Sequence, residues 1–292
     1  MKYGKVAIVG RPNTGKSTLI NVIMNQKVSI TSPLPQTTRR AQTVLFSDDR
    51  GKILFTDTPG LIGKVVDLMS KRVNEEIPRE LAKTDLVVAV VDISRPKNEE
   101  ENKVLGLLRK INTKKILVYN KIDQAVGPAN HFPDYNYLED EFDKTVMVSG
   151  LKSKNVKTLV NLIFELLPQK ENRGVMKEIE AMSSEVRPLT AMGAREYISE
   201  IIREKAYLFL REEIPYTINV KVKEVVDKKK LIYIKAELIT SADRYKKMII
   251  GAGGKKIKEI GFNARKELEL MSARKVFLDL TVVVDTHWME GE

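Results

Sequence analysis

The stretch KVAIVGRPNTGKSTLIN, Lys5–Asn21, decides the fold, because it runs an apolar segment into a glycine loop and then into helical spacing. An unbroken apolar run such as VAIV suits a strand buried on both faces, which points to a parallel sheet. The loop GRPNTGKS fits G-x-x-x-x-G-K-[ST], with a strand before it and a helix after it as that pattern requires. Backbone N–H groups at such a helix start cradle phosphates, so Gly10, Arg11, Pro12, Asn13, Thr14, Gly15, Lys16, Ser17 and Thr18 are the expected phosphate-binding residues. Lys16 neutralises the β- and γ-oxygens, and the Ser17 hydroxyl is a ligand for Mg²⁺.

Three further motifs follow in order, each at the end of an apolar run. KILFTDTPG ends in Asp57-Thr58-Pro59-Gly60: Asp57 can hold the Mg²⁺ and the Gly60 N–H can approach the γ-phosphate. ILVYNKID ends in Asn120-Lys121-Ile122-Asp123. The Asp123 carboxylate can accept two hydrogen bonds from guanine that adenine cannot supply, so the nucleotide reads as GTP rather than ATP. VMVSG ends in Ser149-Gly150-Leu151, which can offer an N–H to the guanine O6. In the loop PQTTRR, Thr38 (its neighbour Thr37 being the alternative) completes the Mg²⁺ shell only while the γ-phosphate is present. Leu61 follows DTPG where many GTPases place a glutamine to orient water, so slow intrinsic hydrolysis is expected, with a cation, a partner, or Arg39 or Arg40 supplying the rest. Lys16, Thr38, Gly60 and Asn13 are the residues assigned to catalysis.

The chain has 292 residues, no cysteine and a net charge of +11. Zero cysteines exclude disulfides and thiolate metal sites and mildly favour a cytosolic setting. No apolar run is long enough to cross a membrane, and the start enters a strand rather than a signal peptide. The charge divides as +8 over residues 1–174 and +3 over 175–292, so the second half is not basic overall. Its charge is local: Arg244, Lys246, Lys247, Lys255, Lys256 and Lys258 occur with no acid between them.

Alternating strands and helices over residues 1–170 predict an α/β domain, a mostly parallel sheet with helices on both faces. Residues 171–193 are polar and read as a linker. Residues 194–288 change pattern to helix, two strands, two helices and a last strand, a smaller α+β domain. Its two helices flank MIIGAGGKKIKEIG, Met248–Gly261. A second mononucleotide site is disfavoured there, since GAGG lacks both a following Gly-Lys-Ser/Thr and a preceding strand. A plain turn is one alternative. The other is the KH fold, in which a G-x-x-G loop between two helices holds the backbone of about four nucleotides. Glycines let the sugar–phosphate chain approach, and lysines supply salt-dependent affinity. Ile250, Gly251, Ala252, Gly253, Gly254, Lys255, Lys256, Lys258, Arg244 and Lys247 are the expected RNA contacts, and the element order suits the type II form.

From GRPNTGKSTLIN through KVSITSPLPQTTRR, DTPGL, NKID, EIIREKAYLFLREEIPY and KKMIIGAGGKKIKEIGFNARKELE, the whole chain resembles the Era family of bacterial GTPases, within the TRAFAC class. The resemblance implies a GTP-hydrolysing switch with a C-terminal type II KH domain. It implies binding at the 3′ end of 16S ribosomal RNA, a role in 30S subunit maturation, and a cytoplasmic location with peripheral association at the inner membrane. It implies K⁺ as a second cation at Asn13, and no stable oligomer is expected. Thr14, Gly150 and Thr281 depart from the family pattern, as do the linker, which lacks a Pro-Glu-Asp-rich segment, and the short tail after Trp288; Gly150 is expected to loosen its loop. An RNA-binding protein whose nucleotide turns over little is the alternative function. A tRNA-modifying GTPase would need a C-terminal cysteine, and a two-G-domain assembly factor a second P-loop.

Overall fold

The computed structural model describes residues 1–31, 41–60, 75, 77–169, 173–183 and 192–288. These fall into two compact units, one through residue 183 and one from residue 192. Thr37, Thr38, Arg39, Arg40, Leu61 and Ile62 lie outside the described residues.

The first unit is built on a six-stranded sheet of order β2-β3-β1-β4-β5-β6. Its strands are β1 (Lys2–Val9), β2 (Gln42–Asp48), β3 (Gly51–Asp57), β4 (Leu86–Asp92), β5 (Lys114–Asn120) and β6 (Lys144–Met147). All neighbours pair in parallel except the edge pair β2–β3. Period-2 geometry sends alternate residues to opposite layers. Val6, Ile8, Leu86, Val88, Val90, Ile116 and Val118 pack with α1 (Lys16–Ile23) and α3 (Val156–Leu166). Ala7, Val9, Val87, Ala89, Val91, Leu117 and Tyr119 pack with α2 (Glu99–Leu108) and with Ile77 and Leu81. This double burial is why the strands read as apolar runs.

One boundary needs correction. Within the span 171–193 expected as linker, Arg173–Ser183 form a helix, α4, whose Val175, Ile179 and Met182 are buried with Leu45 and Leu54. Their spacing puts all three on one stripe. Burying such side chains contributes about 1.5–3 kcal/mol each, so this segment is part of the first unit's core rather than a tether.

The second unit has a three-stranded sheet, β7 (Ile218–Lys228), β8 (Leu231–Thr240) and β9 (Lys275–Val284). β7–β8 is antiparallel and β8–β9 parallel. Helices α5 (Ala194–Phe209), α6 (Asp243–Ile250) and α7 (Lys255–Ser272) complete it. Ile260, Ala264 and Leu268 of α7 recur every four residues and join Ile201, Tyr207, Ile249, Ile234, Leu238 and Val276 in one core. The order α5-β7-β8-α6-α7-β9 is that of a type II KH domain, as expected.

Candidate nucleotide site and candidate RNA groove

The phosphate loop is tightly enclosed. Gly15 sits at φ 93° and Asn13 at φ 63°, left-handed conformations that glycine and asparagine tolerate best. A side chain at Gly10 would stand 2.3 Å from the Val90 carbonyl oxygen, and one at Gly15 2.4 Å from Asn120 Nδ2. α1 starts at Lys16 without a side-chain cap, which leaves its first N–H groups to a ligand. Lys16 Nζ donates to the Gly10 and Arg11 carbonyls at 3.0 Å each, folding the ammonium over the loop. Burial lowers its pKa to about 8, with Asp57 opposing that shift.

Asp57 ends β3 with both carboxylate oxygens buried and without a hydrogen-bond partner among the described residues. Burial raises its pKa. The hydroxyls of Ser17 and Ser29 and the charge of Lys16 temper that rise from nearby, without well-formed hydrogen bonds to either oxygen. An orphaned buried carboxylate beside the Ser17 hydroxyl is the donor set of a hard cation, so these residues fit Mg²⁺. Thr58 locks the turn that follows, donating Oγ1 to the Ile8 carbonyl at 2.7 Å. At Gly60 a Cβ would lie 2.6 Å from Pro12 N, so only glycine lets DTPG close on the phosphate loop.

Asn120 ties three motifs together. Its Nδ2 donates to the Thr14 carbonyl at 2.8 Å, and its Oδ1 accepts from the Gly150 N–H at 3.0 Å. The structure therefore brings Thr14, Asn120 and Gly150 into one buried node, while Asp123 and Leu151 remain exposed at its rim. Ser149 is fully buried and accepts from Lys152 N at 3.0 Å, which shapes the last loop. At Gly150 a Cβ would meet only Asn120 Oδ1 at 3.6 Å and the Leu19 backbone at 3.7 Å, ordinary contacts, and its φ is not positive. Alanine would fit there, so no conformational demand explains the glycine.

Behind the loop lies charge that sequence reasoning missed. Buried Asp92, at the end of β4, accepts from Lys121 Nζ at 2.7 Å and from Arg95 Nε at 2.6 Å. Burial pushes the Asp92 carboxyl up, but Lys121, Ser94 and Arg95 together outweigh it and hold it below the usual range. Arg11 and Glu101, both buried, form an ion pair at 3.1 Å, and Tyr135 donates to Glu101 at 2.7 Å. Burial still raises the Glu101 carboxyl despite Tyr135 and Arg11. The position of Asp92, closing an apolar strand like Asp57, was the available signal.

The GAGG loop of the second unit is open instead. Gly251, Gly253 and Gly254 have φ of 70°, 60° and 74°. Among the described residues a Cβ on Gly253 would meet nothing within 4 Å, whereas one on Gly251 would press on Lys256 at 3.0 Å. Ala252, Lys247, Lys255 and Lys258 are exposed, and Ile250 and Lys256 half-buried. Arg244 is turned onto its neighbour, donating to the Tyr245 hydroxyl at 2.6 Å with its guanidinium 4.5 Å above the ring. From the loop a groove of about 320 Å³ runs between α7 and β9, lined by Ile257, Lys258, Gly261, Phe262, Arg265, Leu278 and Leu280. Of these, only Lys258 is among the expected contacts; Ile257, Gly261, Phe262, Arg265, Leu278 and Leu280 were not anticipated. Their helical spacing (257, 261, 265) and strand alternation (278, 280) would have placed them on one face each.

The family described as a 50S ribosome-binding GTPase matches residues 5–121, and the KH domain family matches residues 213–289. GTPase Era of Deinococcus radiodurans is 39% identical over 99% of this chain and 92% of its own length. GTPase Era of Halothermothrix orenii is 35% identical over 100% and 96%. Two solved structures superpose with a TM-score of 0.87 over 99% of this chain and 95% of theirs: an Aquifex aeolicus Era variant bound to GDP·AlF4⁻, at 33% identity, and an Era in complex with MgGDPNP and nucleotides 1506–1542 of 16S ribosomal RNA, at 34%. With both domains in order and identity sustained from end to end, the chain belongs to the Era family of GTPases.

Proposed function

We propose that this GTPase is a nucleotide-dependent switch that grips the 3′ end of 16S ribosomal RNA in its KH groove and assists maturation of the 30S subunit. One observation carries the RNA half: three left-handed glycines hold a lysine-flanked loop open at the head of an apolar groove. The 16S fragment bound by the Era relative supports the choice of target. In the first unit, Lys16 and the uncapped start of α1 bind the phosphates, Asn120 holds the base-side and phosphate-side loops in register, and Asp123 selects guanine. Ser17 and Asp57 would hold Mg²⁺, which supplies neutralising charge to the phosphate oxygens. Thr38, outside the described residues, would complete that shell in the GTP state, and Gly60 would read the γ-phosphate. Asn13 would hold K⁺, whose charge would raise turnover; equal rates in Na⁺ and K⁺ buffers would contradict that part. Cytoplasmic residence with peripheral membrane association rests on the family resemblance, and cell fractionation tests it.

Crosslinking followed by sequencing of the bound RNA, with the protein loaded with GTP or GDP, tests the whole reading. The expected result is enrichment of the 16S 3′ end that differs between the two nucleotide states. Recovery of no ribosomal RNA end would overturn it.

A further inference from the structure

The sheet of the second unit buries one face against its helices, through Ile234, Ala236, Leu238, Val276 and Val282. The opposite face carries a row of register partners across all three strands, Val226, Tyr233 and Phe277. The Tyr233 and Phe277 rings stack at 5.7 Å with 12° between their planes. Near-parallel rings on adjacent strands stand up from the sheet, so Tyr233 covers one face of Phe277. Because β9 is an edge strand, the other ring face looks out over a free edge, and Phe277 is 55% exposed.

Positive charge collects at the same end of the sheet. Lys228, Lys229 and Lys230 form the exposed β7–β8 turn, and Lys275 is the register partner of Leu231 just beyond it. Arg274 pins the turn, donating to the Lys228 carbonyl at 2.8 Å and to Asp227 at 2.6 and 2.8 Å. That pair accounts for Asp227, and Asp279 accepts from the Tyr233 hydroxyl at 3.3 Å, while the lysines point into solvent.

The row also continues the groove. Leu278 and Leu280 line the groove from the inner face of β9, and Phe277 is the next residue, around the strand's free edge. Three strand residues span about 10 Å, roughly one or two nucleotides of extended RNA. A KH groove holds about four nucleotides. The fragment 1506–1542 seen with the Era relative is far longer, so most of such an RNA lies beyond a groove of that size.

We propose that the Tyr233–Phe277 stack and the lysines beside it form a second contact for single-stranded RNA leaving the groove, with one base laid on the open face of the Phe277 ring. The proposal rests on the groove being the RNA site. Every base has a π-face, so this step adds affinity without selecting sequence, and the Lys228–Lys230 turn meets the adjoining phosphates.

Fluorescence anisotropy of the full chain with labelled RNA of 16S positions 1506–1542 tests it, using wild type, Phe277→Ala, Phe277→Leu, Phe277→Trp, Lys229→Glu and Gly253→Asp. Phe277→Ala and Phe277→Leu should each lose about tenfold, Phe277→Trp should retain wild-type affinity, and Lys229→Glu should lose about fivefold with a shallower salt dependence. GDP affinity should not change in any of these, and the thermal midpoint should fall only by the few degrees that loss of the Tyr233–Phe277 stack costs. If wild type does not bind, or Gly253→Asp binds as wild type does, the groove reading fails and this proposal with it. If Gly253→Asp weakens binding while Phe277→Ala stays within twofold, the groove reading stands and the aromatic contact is wrong. A change in sedimentation rather than RNA affinity on Phe277→Ala would make the face a contact between copies and equally overturn it.

Discussion

The molecule contains two glycine loops assigned to phosphates, and they are built in opposite ways. In GRPNTGKS the glycines are needed because something already fills the space: the Val90 carbonyl against Gly10, the Asn120 amide against Gly15, and Pro12 against Gly60 of the neighbouring turn. Arg11, Thr14 and Lys16 are buried with it. In GAGG the glycines are needed for their backbone angles, and no described residue lies within 4 Å of a Cβ built on Gly253. A closed loop surrounds the phosphates of one small molecule with fixed donors. An open loop lets a chain lie across it and move on.

If that contrast is right, the largest effect comes from filling the closed loop. Gly15→Ala should abolish measurable GDP binding, a loss of 100-fold or more in a nucleotide titration, because the added carbon collides with Asn120 and the backbone angle is unfavourable. Asn120→Ala should follow, weakening GDP about 10- to 100-fold and lowering the thermal midpoint of the first unit. It leaves the Thr14 carbonyl and Gly150 N–H buried and unpaired, at about 1–3 kcal/mol each.

A pH titration probes the closed loop more gently. Lys16, held at about 8 without ligand, regains its charge beside phosphates, so nucleotide binding takes up protons once pH exceeds that value. GDP affinity should therefore fall as pH rises from 7 to 9, and calorimetry in buffers of different ionisation enthalpy should show the uptake. Lys255→Ala should leave GDP untouched and reduce the logarithmic salt slope of RNA binding by about 0.7. The smallest effect is expected at Gly150→Ala, within about 0.5 kcal/mol of wild type in stability and GDP binding, since the site has room for the methyl group.

What could be read in the sequence followed from how local the signal is. The parallel strands announced themselves because both faces are buried, and the phosphate and guanine motifs because fixed spacing sets fixed geometry. β2 was not anticipated: QTVLFSD mixes polar and apolar residues, as an edge strand can, and it is antiparallel. α4 reads as linker because its charges dilute Val175, Ile179 and Met182, although their spacing marks a helical stripe. Asp92 and the Arg11–Glu101–Tyr135 cluster escaped because partners up to 124 residues apart meet only in the folded sheet. The groove beyond GAGG escaped for the same reason, since α7 supplies one wall of it and β9 the other.

The contrast between a closed and an open loop is tested most directly by crossing two ligands with two substitutions. GDP and the 1506–1542 RNA are titrated into wild type, Gly15→Ala and Gly253→Asp, the last chosen because aspartate tolerates the left-handed angle while its charge repels phosphate. The account predicts that Gly15→Ala loses GDP but still binds RNA in the nucleotide-free state, and that Gly253→Asp binds GDP as wild type does but loses RNA by about tenfold or more. Loss of GDP binding in Gly253→Asp, or undiminished RNA binding by it, would contradict the account.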